Sequence, residues 1–258
     1  MAELADAPDL GSGAERLEGS SPSSRTVPTL SVVMPAYNEA ANLPAVAPRV
    51  LEAGRRACPQ PDGFELVLVD DGSTDATAAA LAALASAHPD VRVLTHERNR
   101  GLTAALRTGY YAARKEFVLF IPADGQIPPE SIAAFLAAAP GHDVVLSNYR
   151  HRPDGLSRAV LSRGLRLLLR VALGFGDRAD GPYLFRRALI DQIPLVAERS
   201  AGSIGFEIAA KARAAGRPMT TIEIDCLPRL SGSSKVANAR NILQYLVEIA
   251  RIRRSMRS

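Results

Sequence analysis

Long apolar runs are missing from this chain. None of about 18 residues occurs anywhere in its 258, so a helix of membrane-spanning length is not expected. The first ten residues hold Glu3, Asp6 and Asp9 and lack a basic region followed by an apolar core, so a signal peptide is not expected either. Cysteine is nearly absent. Cys58 and Cys226 stand far apart with no metal-like spacing and fit a reduced, cytoplasmic protein. Aromatic residues make up only 5%, and no helix-turn-helix, finger or RNP-like pattern is visible, so no nucleic-acid partner is expected. The P-loop pattern, GxxxxGK followed by Ser or Thr, does not occur, and no GxGxxG follows the first predicted strand. Phosphates are therefore not held the P-loop way, and a dehydrogenase reading is weakened.

What is present points to an α/β protein. Apolar residues make up 47%, ordinary for a globular chain, and the length suits one large α/β domain or two small ones. Residues 1–28 are rich in Gly, Ser, Pro and acidic residues without an apolar period, and read as a disordered tail. From Leu30 onward, runs rich in β-branched residues alternate with helical patterns. LSVVMP, FELVLVD, VRVLTH, FVLFI and DVVLSN read as buried strands. Helices are expected over 40–56, from a Ser73 or Thr74 cap to Ala87, from Leu102, and over 129–138. This alternation predicts a mostly parallel, doubly wound sheet with helices on both faces. A short strand at Pro182–Phe185, a helix at Gly205–Ala215 and the strand MTTIEID follow.

The net charge of +4 is unevenly placed. The first thirty residues are acidic, while 150–187 and 229–257 are basic, and basic patches attract phosphates. Two basic amphipathic stretches, 156–173 and 238–257, suit either a membrane surface or packing into the protein or a dimer. In the second, Ile242, Tyr245, Leu246, Ile249, Ile252 and Met256 fall on one side.

FVLFIPADGQ is the predicted centre. The strand stops at Pro122, and beyond its end stand Asp124, Gly125 and Gln126. Ligands of open parallel sheets bind outside the carboxyl ends of the strands. A carboxylate there, with an amide oxygen two residues on, suits a hard cation such as Mg²⁺ or Mn²⁺. Three further polar clusters follow strands that end in the same direction: Tyr37-Asn38-Glu39, Asp70-Asp71 and Asn99. A carboxylate such as Glu39 or Asp71 can accept hydrogen bonds from a ribose diol or a base N–H.

In order along the chain, SVVMPAYNEAANL, LVLVDDGSTD, NRGLTAALRTGY and FVLFIPADGQ resemble the motifs of the family 2 glycosyltransferases with the nucleotide-sugar-binding GT-A fold. GFEIAAKARAAG and PRLSGSSK are similar to the branch that transfers a sugar to a polyprenyl phosphate, as dolichyl-phosphate mannose synthases and their bacterial relatives do. The resemblance covers about Leu30 to Val236 and implies a single GT-A domain over 29–236 with a basic amphipathic C-terminal helix over 237–258. It implies that Pro35, Tyr37, Glu39, Val69 and Asp71 hold the nucleoside, and that Ala123, Asp124 and Gln126 form the metal and diphosphate loop. Arg229 and Lys235 match basic residues that engage phosphates. Pro122 departs from the pattern, standing where the family has the first acid of D-x-D.

The implied reaction moves a hexose from a nucleotide-diphospho-sugar, GDP-mannose or UDP-glucose in type, to a polyprenyl phosphate with inversion. A phosphate acceptor needs no general base, because its second pKa is about 6. The catalytic set is then Asp124, Arg229 and Lys235, with Glu207 as a further candidate that either starts a helix or orders a basic neighbour. Two alternatives stand open: a soluble transferase with a hydroxyl acceptor and a base at Glu207 or Asp180, and a catalytically impaired nucleotide-sugar-binding protein. The expected location is cytoplasmic, with peripheral contact on the inner face of the membrane, and the oligomeric state is open.

Overall fold

The computed structural model describes residues 27–150, 156–177, 179–198, 203–228 and 239–256. The predicted tail therefore lies outside the described residues except for its last two. Seven strands form one sheet in the order β3-β2-β1-β4-β6-β5-β7. They are β1 (Leu30–Ala36), β2 (Phe64–Asp70), β3 (Val91–Thr95), β4 (Phe117–Phe120), β5 (Val144–Tyr149), β6 (Leu184–Arg186) and β7 (Met219–Ile224). Every pairing is parallel except those of β6, which runs against both β4 and β5.

Side chains alternate along each strand, so a run apolar at every position must bury two faces. Leu30, Val32 and Met34 of β1 lie in one core with α1 (Leu43–Ala57), α2 (Thr77–Ala87) and α4 (Ser131–Ala138). Val33 of β1 and Val67 and Val69 of β2 lie in the other core, with α3 (Leu102–Ala112), α5 (Leu156–Leu173), α6 (Leu189–Gln192), α7 (Ser203–Ala214) and α8 (Ala239–Ser255). Each fully buried side chain of this kind contributes roughly 1.5–3 kcal/mol. On the second face Gly109 of α3 lets the helix approach β1 closely. A Cβ there would stand 2.3 Å from a methyl of Val33.

Helix starts differ from the sequence expectation for local reasons. α1 begins at Leu43 rather than 40, because Asn42 and Leu43 first turn their backbone N–H groups onto the Glu39 carbonyl. Pro44 falls in its first turn, where a missing N–H is harmless, and the helix runs through Pro48. α2 is not capped by Ser73 or Thr74. Its first residue, Thr77, gives its N–H to the carboxylate of Asp75, and the two hydroxyl residues serve another purpose described below. α6 was not foreseen.

The two basic stretches pack onto each other and onto the body. Leu169 and Leu173 of α5 and Ile249 and Ile252 of α8 belong to the same core as the sheet. The buried side of α8 is offset from the expected one: Glu248 joins it, while Leu246 is exposed. Among the described residues no helix is long and apolar enough to cross a membrane.

Chain order explains where a cleft must open. From β1 the sheet grows through β2 to β3 on one side, then β4 returns to the other side of β1. Loops leaving β1 and β4 consequently diverge, and the gap between them lies at the carboxyl ends of the strands.

Candidate active site

The cleft at this reversal has a volume of about 280 Å³ and is lined by residues from four successive strand ends. Pro35, Ala36, Tyr37 and Glu39 come from β1 and its loop, Asp71 from after β2, and Asn99, Gly101 and Leu102 from the β3–α3 connection. Phe120, Pro122, Ala123 and Asp124 come from β4 and beyond. The polar clusters read from the sequence thus do converge on one edge.

Two of the loops are stitched together. Asn38 adopts a left-handed conformation with φ of 57°, which Asn tolerates better than most residues. Its side-chain oxygen accepts the Thr74 N–H at 2.9 Å, and its own N–H reaches the Ser73 hydroxyl at 3.1 Å. The Glu39 N–H donates to the Thr77 hydroxyl at 2.9 Å. Asp75 accepts N–H groups from Thr77 and Ala40, and a hydrogen bond from the Thr77 side chain first, then these N–H groups, holds its carboxyl below the usual range. The side chain of Glu39 is itself steadied by the Asn42 amide at 2.6 Å. Ser73 and Thr74, expected as helix caps, instead fix the loop that carries Tyr37 and Glu39.

Asp71 is 3% exposed and binds protein donors through both oxygens. Oδ1 accepts from His96 Nδ1 at 2.7 Å and from the Arg100 N–H at 2.9 Å, and Oδ2 accepts from the Gly101 N–H at 2.8 Å. A carboxylate oxygen accepts, so Nδ1 of His96 is the donor in this pair, and Nε2 meets the Thr108 hydroxyl at 2.9 Å. Next to it Gly72 has φ of 70° and lies against the β3–α3 connection. A Cβ there would come within 2.3 Å of the Arg98 backbone, so the loops can close only around glycine.

Asp124 is 7% exposed, lines the cleft and accepts the Gln126 N–H at 3.0 Å across Gly125, which takes a positive φ. Among the described residues there is no group of three or more His, Cys, Asp or Glu able to hold a metal. The donor set nonetheless fits a hard cation taken through one carboxylate, with water and diphosphate oxygens as the remaining ligands.

Three of the expected site residues, Val69, Gln126 and Glu207, have other surroundings. Val69 is fully buried in the α3-side core and does not line the cleft; its register partner Pro35 does. Gln126 is half-buried beside the cleft lining, and its carbonyl accepts the Leu227 N–H at 2.8 Å. Arg229 and Lys235 lie outside the described residues. Glu207 is also elsewhere: it is fully buried past the first turn of α7, too deep in the helix to start it. Its two oxygens accept the Val196 and Ala197 N–H groups at 2.7 and 2.8 Å, and Lys211 pairs with it at 2.7 Å. It does order a basic neighbour, but inside the core.

His96 and Thr77 were not singled out from the sequence. His96 ends the VRVLTH strand, on the edge that carries Asp71 and Asp124, and that position was the available signal.

Known proteins share this architecture. A mannosyltransferase from Pyrobaculum calidifontis, solved in complex with GDP-Man and Mn²⁺, superposes with a TM-score of 0.62 at 24% identity, over 87% of this chain and 64% of that one. The fold is GT-A. Undecaprenyl-phosphate 4-deoxy-4-formamido-L-arabinose transferases are similar in sequence. That of Proteus mirabilis is 35% identical over 176 residues, 66% of this chain and 53% of the relative. That of Aeromonas hydrophila is 34% identical over 212 residues, 80% of this chain and 62% of the relative. The chain thus spans less than two thirds of the length of either. The model of glycosyl transferase family 2 matches residues 31–193. With the ordered motifs folded around one cleft at the sheet reversal, the chain belongs to glycosyl transferase family 2.

Proposed function

We propose that this chain moves a hexose from a nucleotide-diphospho-sugar, of the GDP-mannose or UDP-glucose type, to a polyprenyl phosphate with inversion. One observation carries the reading: Tyr37, Glu39, Asp71 and Asp124, from three separate loops, line a single cleft at the β1/β4 reversal. The acceptor class is supported by the undecaprenyl-phosphate transferases to which the chain is similar. Pro35, Tyr37, Glu39 and Asp71 take the nucleoside in this reading, and Ala123 and Asp124 face the diphosphate. Asp124, with Gln126 beside it, holds a divalent cation, Mg²⁺ or Mn²⁺. When bound, that ion neutralises charge on the departing diphosphate.

The residues of the chain bind and orient. A phosphate acceptor is already a dianion near neutrality, so positive charge aligning it in line replaces a general base. Arg229 and Lys235 are proposed for this. The hydroxyl-acceptor alternative draws no support from Glu207, whose oxygens are committed to backbone N–H groups and Lys211.

A peripheral lipid contact fits the same acceptor. Leu167 and Val171 on α5, and Leu246 and Val247 on α8, are exposed, as are Arg163, Arg170, Arg253 and Arg254 on the same helices. Apolar residues with flanking arginines suit an anionic lipid surface.

The test is transfer of radiolabelled sugar from a donor panel to undecaprenyl phosphate with Mn²⁺. A chelator should abolish product, and Asp124→Asn should lower the rate by about 10²-fold or more while the circular dichroism stays unchanged, the scale of losing one electrostatic stabiliser. Transfer that ignores both chelator and substitution would defeat the metal assignment. Donor binding with no transfer under any condition would leave only a binding protein.

A further inference from the structure

We propose that His96 is a positioning residue that leaves Asp71 one open acceptor position, so that the cleft selects a uracil nucleotide over a guanine nucleotide. The inference deepens the donor reading above and rests on it. A carboxylate offers about four lone-pair positions. At Asp71 three are taken by protein: His96 Nδ1 and the Arg100 N–H on Oδ1, and the Gly101 N–H on Oδ2. The fourth, on Oδ2, is left for a ligand in the cleft that Asp71 lines.

The two candidate bases differ in what they present to a carboxylate. Guanine shows two adjacent donors, N1–H and the N2 amino group, and a carboxylate reads that edge with one lone pair from each oxygen. Uracil shows a single imide N–H between two carbonyls. With Oδ1 saturated, the two-donor edge finds only one partner, and a buried donor left unpaired loses the affinity it would have gained. The single imide N–H is matched by the single open position. Asn99, on the same cleft wall, brings an amide donor suited to a flanking carbonyl.

His96 makes this arrangement rigid. It is 8% exposed, its Nδ1–H occupies Oδ1, and Thr108 of α3 holds its other ring nitrogen. Removing the imidazole frees a lone pair on Oδ1 and releases the carboxylate to turn, so selectivity, and not affinity alone, depends on it.

Free UDP and GDP are the probes, titrated calorimetrically into the full chain with Mn²⁺, in the wild type and in His96→Leu and His96→Asn. The wild type should bind UDP at least tenfold more tightly than GDP. His96→Leu should weaken UDP about tenfold and bring the two affinities within about threefold of each other, whereas His96→Asn, which keeps an N–H for Asp71, should retain the preference. A structural role alone would weaken both nucleotides alike and leave their ratio unmoved. GDP binding equal to or tighter than UDP in the wild type overturns the inference without touching the nucleotide-sugar reading, and needs no variant to fold. An unchanged ratio in a folded His96→Leu overturns the role of His96. Failure of the wild type to bind either nucleotide overturns the donor reading and this inference with it.

Discussion

Substituting Glu207 separates a structural carboxylate from a catalytic one. It is fully buried, and it accepts two backbone N–H groups from the segment before α7 while pairing with Lys211, itself 7% exposed. Lys211 in turn donates to the Pro194 carbonyl. Glu207→Ala leaves one buried and one half-buried N–H group unpaired, at about 1–3 kcal/mol for the buried one, and a buried ammonium without its counter-ion, which alone costs about 3–5 kcal/mol. These losses overlap, since one relaxation serves all three groups, so a total of roughly 3–5 kcal/mol is expected. Against the 5–15 kcal/mol typical of a domain, that is a large share. Urea denaturation followed by circular dichroism measures it, with sugar transfer assayed on the folded fraction. Glu207→Gln should fall between, because the amide accepts one N–H but opposes the other. Adding Lys211→Met to Glu207→Gln should recover about 1 kcal/mol or more, since the unpaired charge is gone. Full wild-type stability in Glu207→Gln together with abolished transfer would refute the reasoning and restore Glu207 as a base.

Two further outcomes follow from the same structure. Burial pushes the Cys58 thiol from its ordinary value near 9.0 up to about 11, so the unfolded chain loses this proton first as pH rises. Stability should be unaffected by this group below pH 9 and should fall between about 9 and 11 by up to roughly 2–3 kcal/mol, with the slope reduced in Cys58→Ala; identical pH curves for the two proteins would contradict it. On liposomes with anionic lipid at low salt the wild type should float, and Leu167→Glu with Val171→Glu should shift it to the soluble fraction. A wild type that stays soluble removes the proposed lipid contact.

The strands, their order of appearance and the convergence of the polar loops were legible because each rests on local pattern. Apolar runs at every position of β1 and β2 state that both faces are buried, and a sheet so covered places its loops at one end. What escaped was set by contacts across the chain. Val69 carries the same apolar signal whether it touches a ligand or α3. Ser73 and Thr74 sit where a cap belongs, yet a loop more than thirty residues earlier in sequence takes their hydrogen bonds. A carboxylate in GFEIAAK reads alike as helix start, base or buried anchor until Lys211 and the Val196–Ala197 backbone are seen around it. β6 was expected as a strand, but its antiparallel direction depends on the path of the chain after α5, which no short pattern records.

The stitching of the β1 loop to the β2 loop has a consequence for change in this protein. The Asn38 side-chain oxygen accepts the Thr74 N–H, the Asn38 N–H donates to the Ser73 hydroxyl, and the Glu39 N–H donates to the Thr77 hydroxyl. The wall formed by Tyr37 and Glu39 is therefore encoded twice, in PAYNE and in DDGSTDAT. A graft that brings in a new PAYNE segment without its matching partner carries the side chains at 37 and 39 on a loop whose polar groups have no counterpart. Altering this wall therefore means exchanging both segments as one unit.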